Sequence, residues 1–219
     1  MESTLTTNTL RITEIFYSLQ GETRTVGLPT VFVRLTGCPL RCQYCDSAYA
    51  FHGGKKLTLT EILQKVADYV PRYVTVTGGE PLAQKACIPL LKDLCDLGYE
   101  VSLETSGALD VSEVDQRVMK VLDLKTPDSK EVTKNLFSNL KHLDAKDQIK
   151  IVICSREDYE WAMSVMQEYQ LAEICEVLFS PSFTQLPEKT LADWILEDRL
   201  PVRFQIQLHK HLWGDIPGK

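Results

Sequence analysis

The chain has 219 residues, 44% of them hydrophobic, enough for one large core in a single domain spanning residues 1–219. With 30 acidic against 24 basic residues, a formal charge of −6 and no run of five Lys/Arg, it argues against direct nucleic-acid binding. No apolar run approaches the ~20 residues that cross a bilayer, and residues 1–9, read as a flexible extension, carry no signal-like region, so a cytoplasmic protein without membrane association is expected.

Leu10–Tyr17 alternates apolar and polar residues and predicts a strand, followed by the polar turn Ser18-Leu19-Gln20-Gly21-Glu22. Thr30–Leu35 predicts a second strand, in which Arg34 interrupts the apolar pattern. An arginine there needs a partner, and a structural carboxylate and an anionic substrate group serve equally well.

That strand runs into a loop holding three of the seven cysteines, Cys38, Cys42 and Cys45, spaced C-x3-C-x2-C. Thiolates are soft ligands for zinc or for iron–sulfur clusters. Three are one short of a closed structural site, which leaves either a [4Fe–4S] cluster with one open iron or a zinc knuckle completed by His52. A disulfide is disfavoured by the odd cysteine count and the expected reducing compartment. Cys87, Cys95, Cys154 and Cys175 lie in apolar patterns and are assigned to core packing.

Next come a helix over Thr58–Val70 with Thr60 as N-cap, a strand at Tyr73–Thr77, and Gly78-Gly79-Glu80-Pro81. Alone, that tetrapeptide is a strand-to-helix turn or a corner where backbone N–H groups approach a ligand. A helix from Leu82 to Leu97, kinked at Pro89, precedes a strand at Tyr99–Glu104 and the turn Thr105-Ser106-Gly107. Then follow a strand at Val118–Leu122 leading to Asp123-Leu124-Lys125, a helix over Lys130–Leu143, a strand at Gln148–Ile153, and a helix capped by Ser155 and ending at Tyr169. A strand at Cys175–Phe179 runs into Ser180-Pro181-Ser182; a helix from Pro187 to Asp198 and a strand at Val202–Leu208 close the series. Strand–helix alternation of about six units is too short for the ~250 residues of an eightfold barrel, and predicts an α/β fold, an incomplete parallel (β/α)6-type TIM-like barrel. The unusual residues gather at strand C-terminal ends, where such folds bind ligands.

Cys38, Cys42, Tyr44 and Cys45 form C-x3-C-x-aromatic-C, and with Gly78–Pro81 behind them the chain resembles the radical S-adenosylmethionine (SAM) superfamily. The resemblance implies an abridged radical SAM fold, a [4Fe–4S] cluster on Cys38, Cys42 and Cys45, and SAM chelating the open iron and cleaved to a 5′-deoxyadenosyl radical. Tyr44, Cys45, Asp46, Gly79 and Glu80 match positions that touch SAM.

Within the superfamily, Ser18–Glu22 and His209-Lys210-His211-Leu212-Trp213-Gly214 resemble the 7-carboxy-7-deazaguanine synthase family of queuosine biosynthesis. That implies contraction of the 6-carboxy-5,6,7,8-tetrahydropterin ring with loss of ammonia. By position, Leu19, Gln20, Gly21, Arg34 and Thr77 match substrate contacts, and Ser47 a hydroxyl ligand of Mg2+. Asp123, Leu124 and Lys125 stand where relatives carry a cofactor-binding Ser-Pro-Lys, with only the lysine kept, and Ser180 matches a later cofactor contact. An electron donor such as a flavodoxin or ferredoxin and a homodimer are also implied. No side chain is assigned as catalytic acid or base, and His209, His211 and Trp213 are read as a surface tail or dimer contact. The rival readings are a glycyl-radical enzyme activase and a non-enzymatic zinc or iron–sulfur module.

Overall fold

The computed structural model describes residues 8–183, 185–214, 216 and 218; of the expected N-terminal extension, residues 1–7 lie outside the described residues and Thr9 already opens a strand. Strands β1 (Thr9–Leu19), β2 (Pro29–Leu35), β3 (Lys55–Thr58), β4 (Tyr73–Gly78), β5 (Glu100–Thr105), β6 (Met119–Leu124), β7 (Gln148–Ile153), β8 (Glu176–Pro181) and β9 (Arg203–Phe204) form one sheet in the order β3-β1-β2-β4-β5-β6-β7-β8-β9. All neighbours from β2 to β9 are parallel, as strands joined by crossovers must be. β1 runs antiparallel to both β2 and β3. Because β3 and β9 are separate edges, the sheet does not close, and the architecture is the expected incomplete TIM-like barrel.

Side chains along a strand alternate between faces, and here the two faces have different chemistry. Val31, Val33, Val74, Val76, Val101, Leu103, Ile149 and Ile151 point into the apolar core shared with the helices. The intervening Arg34, Thr75, Thr77, Glu104 and Lys150 occupy the other, inner face. An all-parallel sheet buried on both faces would read as continuous apolar runs. The alternation marks an interior kept polar for a ligand.

Three local expectations are corrected. Thr58, not Thr60, caps α1 (Leu59–Ala67): its hydroxyl accepts from Glu61 N while the Glu61 carboxylate accepts from Thr58 N at 2.7 Å, a reciprocal box for which Thr60 lacks the acid three residues on. Pro89 causes no kink, because α2 is only Cys87–Asp96 and places it in the first turn, where N–H groups have no intrahelical acceptor. Residues 130–143 form two short 3-10 helices, Val132–Lys134 and Phe137–His142, instead of one α-helix. Asn135 bonds both Lys125 N and Lys125 O at 2.8 Å, and Asn139 bonds Gly107 O, Leu109 O and Val111 N, so side-chain bonds to distant backbone override the helix.

The helices α3 (Arg156–Glu168), α4 (Leu171–Ile174) and α5 (Glu188–Glu197) cover the outer face beyond β7. The last strand pairs only at Arg203–Phe204; the chain then turns into α6 (Leu208–Trp213), whose Leu208 N donates to Gly21 O at 2.9 Å. Cys87, Cys154 and Cys175 are buried and Cys95 packs against the core, as assigned.

Candidate active site

A cavity of about 590 Å³, within the range for small-molecule sites, opens at the C-terminal ends of the parallel strands. The cysteine loop, the Gln20-Gly21 turn, Arg34, Thr77, Gly79, Asp123, Lys125 and Ser180 all line it, so residues far apart in sequence meet as expected.

The cysteine loop is held by its backbone. Gly37 N donates to Ala50 O and Glu80 N to Gly37 O, both at 2.8 Å. The Arg41 guanidinium donates to Cys38 O and Leu40 O at 2.7 Å. A Cβ on Gly79 would lie 2.0 Å from Gly37 O, so glycine is needed for the end of β4 to touch the loop. Glu80 departs from expectation: its fully buried carboxylate does not line the cavity. It accepts instead from Leu82 N, Thr105 Oγ1, Ser106 N and Ser106 Oγ, fastening the ends of β4 and β5 together.

Cys38, Cys42 and Cys45 all face the cavity as free thiols. Burial raises the Cys38 thiol and pushes Cys42 up to about 11, so metal uptake there must release protons. Among the described residues no three His, Cys, Asp or Glu side chains converge as a single metal ion requires, and His52 is exposed and outside the cavity. Three spaced thiols suit a multi-iron cluster, which takes one thiolate per iron.

The same cavity has polar atoms without partners, on the cysteine loop and on the ends of β6 and β8. Asp123 Oδ1, Tyr44 Oη and Ser180 Oγ are buried without a hydrogen bond among the described residues, and all three residues line the cavity. Such orphans are costly unless a ligand completes them. Asp123 also pairs with Lys125 at 2.9 Å. Burial disfavours the Lys125 charge, but Asp123 and the Cys42 thiol outweigh it and keep the ammonium protonated. Burial, then Asp123, raises the Tyr44 phenol, which stays a neutral donor. Leu124, expected beside these groups, is fully buried in the apolar core, since it alternates with Asp123 to the other face.

On the floor, Gln20 Nε2 donates to Thr75 Oγ1 and Glu104 Oε1, both at 3.2 Å, and Thr77 Oγ1 donates to Glu104 Oε2 at 3.1 Å. Burial, reinforced by the Glu22 charge, raises the Glu104 carboxyl above its ordinary value. Lys150 pairs with Glu22, and despite burial stays protonated through Glu22, Asp123 and Glu104. Arg34 Nε meets Glu14 Oε1 at 2.8 Å, while Tyr49 Oη donates to the same oxygen at 2.7 Å. Ser47 lines the cavity with its Oγ 3.8 Å from Cys45 Sγ.

Sequence reasoning missed Glu22 and Lys150 in the cavity wall and Glu14 behind Arg34, and it reads His209 as a surface tail or dimer contact. His209 instead lines the cavity against Gly21, where an added Cβ would sit 2.1 Å from Nδ1, and burial lowers its pKa toward the neutral imidazole. Asp46 anchors α6: Gln207 Nε2 donates to it at 2.9 Å and Lys210 Nζ lies 3.3 Å away. His211 is exposed and bonds Glu188 at 2.6 Å. Alternation along β7 was the available signal for Lys150, because Gln148 and Lys150 share the inner face between apolar neighbours.

The three thiols thus fit an iron–sulfur cluster, and the orphaned polar wall fits a polar cofactor beside it. Comparison with known proteins agrees. The Radical SAM superfamily profile matches residues 32–177. The chain is 44% identical over 208 residues to the 7-carboxy-7-deazaguanine synthase of Chlorobaculum tepidum, covering 94% of each chain. It is 41% identical to the enzyme of that name from Koribacter versatilis, covering 93% of this chain and 97% of the relative. Among solved structures, QueE from Escherichia coli superposes with a TM-score of 0.75 at 21% identity, covering 92% of this chain and 95% of that one, which supports the fold.

Proposed function

Because the chain belongs to the 7-carboxy-7-deazaguanine synthases of the radical SAM superfamily, we propose that it converts 6-carboxy-5,6,7,8-tetrahydropterin to 7-carboxy-7-deazaguanine and ammonia in queuosine biosynthesis. As a superfamily member it uses a [4Fe–4S] cluster and SAM, which together supply a hydrogen-abstracting radical. The observation that carries the reading is that three cavity-facing thiols share one cavity with the unpartnered Asp123, Tyr44 and Ser180 atoms.

Cys38, Cys42 and Cys45 would hold the cluster, and Tyr44, Asp46, Gly79, Asp123, Lys125 and Ser180 the SAM. For the substrate, Arg34 takes the carboxylate, and Leu19, Gln20, Gly21 and Thr77 the ring. The protein's own part is to orient and to exclude water: a planar heterocycle with one carboxylate suits a floor of amide and hydroxyl donors beside an arginine. Ser47 offers a hydroxyl ligand for Mg2+, which prefers few protein oxygens supplemented by substrate and water. We place the enzyme in the cytoplasm as a single domain and a homodimer, with a flavodoxin or ferredoxin as electron donor. No helix among the described residues is long and apolar enough to cross a membrane.

The test is anaerobic reconstitution followed by turnover with substrate deuterated at C6. Label in deoxyadenosine or recovered SAM, together with the deazaguanine, is expected. SAM cleavage without that product, but with radical transfer to a partner protein, would replace this reading with the activase. The relatives' names and near-complete coverage favour the synthase.

A further inference from the structure

We propose that the outer surface of the cysteine loop is a docking face for a small acidic electron-carrier protein, held by a basic band of Arg11, Arg41, Lys55, Lys56, Lys130 and Lys134. The proposal rests on the functional reading above, which requires a one-electron reductant from outside the chain.

The six residues are all exposed, on a chain whose formal charge is −6. Contacts make the band continuous. Arg11 Nη1 donates to Gly53 O at 3.0 Å, next to Lys55 and Lys56 on β3. The Arg41 guanidinium lies 4.3 Å above the ring of Phe51, which leads into that same Gly53 turn. On the other flank, Arg41 N donates to Glu131 Oε1 at 2.5 Å and Gln43 N to Ser129 O at 3.2 Å, joining the loop to the segment that carries Lys130 and Lys134.

The band gathers unpaired cations in one contact-linked stretch, whereas elsewhere exposed cations are of both kinds: Lys65, Lys85, Lys92, Lys141 and Arg199 form no ion pair among the described residues, and others do. Arg72, Arg117, Arg156 and Lys189 are each matched by a carboxylate. Arg11, Arg41, Lys55, Lys56 and Lys134 form no ion pair among the described residues, and Lys130 pairs only with Asp128 at 3.2 Å. Asp128 and Glu131 are the carboxylates found within the band, and Glu131 is engaged by Arg41 N. Unmatched cations leave a positive field that accelerates encounter with an acidic partner and orients it. The position suits this role: Arg41 sits between Cys38 and Cys42 in the chain with its side chain outside, while the sulfurs face the cavity. A carrier seated there lies against the backbone of the loop that carries the thiols. An RNA is the less suited occupant, since the chain's overall charge repels a polyanion larger than the band.

The experiment titrates oxidised flavodoxin, an acidic carrier, into the anaerobically reconstituted protein by calorimetry at low and raised salt. Wild type should bind, more weakly as salt screens the contact. Lys55→Glu/Lys56→Glu and Lys130→Glu/Lys134→Glu should each weaken binding roughly 10-fold or more, whereas Lys92→Glu/Lys141→Glu, elsewhere on the surface, should not. Dithionite, too small to need docking, should drive SAM cleavage equally in all variants. Flavodoxin that binds reversed and wild-type bands alike, or fails to bind wild type, overturns the proposal, as does a poly-uridine RNA that binds the band more tightly than flavodoxin. Absence of dithionite-driven SAM cleavage in wild type instead sinks the functional reading on which it rests.

Discussion

Glu14 lies directly across from Arg34 in the sheet, Oε1 to Nε at 2.8 Å, because β1 shifts register between Ile12 and Glu14. Without that bulge the acid would turn to the other face. Glu14 therefore occupies one edge of the guanidinium, while the rings of Phe16 and Tyr49 lie 5.8 Å from its centre on either contact. Nη1 donates to Gly78 O at 3.4 Å, and the guanidinium lines the cavity wall. Burial alone would lower the Arg34 pKa, but Tyr49 and Glu14 more than compensate and hold it above the ordinary value, so its charge is constant across working pH.

Arg34→Ala is expected to reduce substrate affinity by roughly 10- to 100-fold, the scale of a lost charge-assisted hydrogen bond, and to lower product formation much more than uncoupled SAM cleavage. Glu14→Gln, which keeps the shape and removes the charge, should raise KM with a smaller effect on kcat. Steady-state kinetics on both variants check this; an Arg34→Ala enzyme with unchanged KM would remove the arginine from the substrate site.

The seven cysteines should separate into two groups. Cys38→Ala, Cys42→Ala and Cys45→Ala should each abolish iron retention after reconstitution, whereas Cys87→Ala, Cys95→Ala, Cys154→Ala and Cys175→Ala should keep it. The loop cysteines line the cavity, whereas the other four pack in or against the core outside it. Iron analysis and the visible absorption band are the measurements, and iron lost from any of the second group counts against the assignment.

Strand periodicity exposed most of the fold, because each inner face carries its own polar residues: Thr75 and Thr77 on β4, Glu104 on β5, Lys150 on β7. The cysteine spacing and Gly78-Gly79 pointed to the site for a local reason, since both are motifs whose chemistry lies within a few residues. What sequence hid depends on long-range placement. Glu22 and Lys150 are 128 residues apart and meet only when β7 closes on the β1–β2 loop. His209 enters the cavity because the expected last strand pairs over two residues and then becomes α6. The helix expected at 130–143 failed because Asn135 and Asn139 spend their amides on β-strand loops, a contact no local propensity reports.

Chelation of Mg2+ should lower turnover, and Ser47→Ala should weaken that dependence while leaving the iron content unchanged. The motivation is the Ser47 hydroxyl at the cavity wall, 3.8 Å from Cys45 Sγ of the cysteine loop. Turnover measured across a Mg2+ series decides it; wild type indifferent to chelation removes the metal from the site.

Glu104 supplies a pH signature. Burial and Glu22 raise its carboxyl above the ordinary 4.5, so the native state holds a proton that the unfolded state releases. Stability from this group is full below 4.5 and is lost as pH rises toward the raised value. Glu104→Gln removes that loss, so the variant should gain stability relative to wild type at pH 8 and gain least at pH 4. Denaturant unfolding at the two pH values measures it, and an equal difference at both would show that Glu104 is not strained by its charge.

Gly79→Ala tests whether the loop geometry depends on backbone contact. The added Cβ would lie 2.0 Å from Gly37 O and 2.5 Å from Gly37 C, which are main-chain atoms that cannot rotate away. The methyl must therefore move the cysteine loop or the end of β4, and overpacking of this kind costs about 1–3 kcal/mol. Glu80 N also bonds Gly37 O at 2.8 Å, so the displacement breaks the contact that sets the Cys38 position. Reconstituted Gly79→Ala should hold less iron and bind SAM more weakly than wild type. Gly98→Ala is the control: its φ of +86° strains any other residue, but nothing lies within 4 Å of the added Cβ and it is far from the loop in the chain. That variant should lose on the order of 1 kcal/mol of stability through backbone strain while retaining full iron. If Gly79→Ala keeps wild-type iron content and SAM affinity, the close approach of β4 to the loop is not what positions the cysteines.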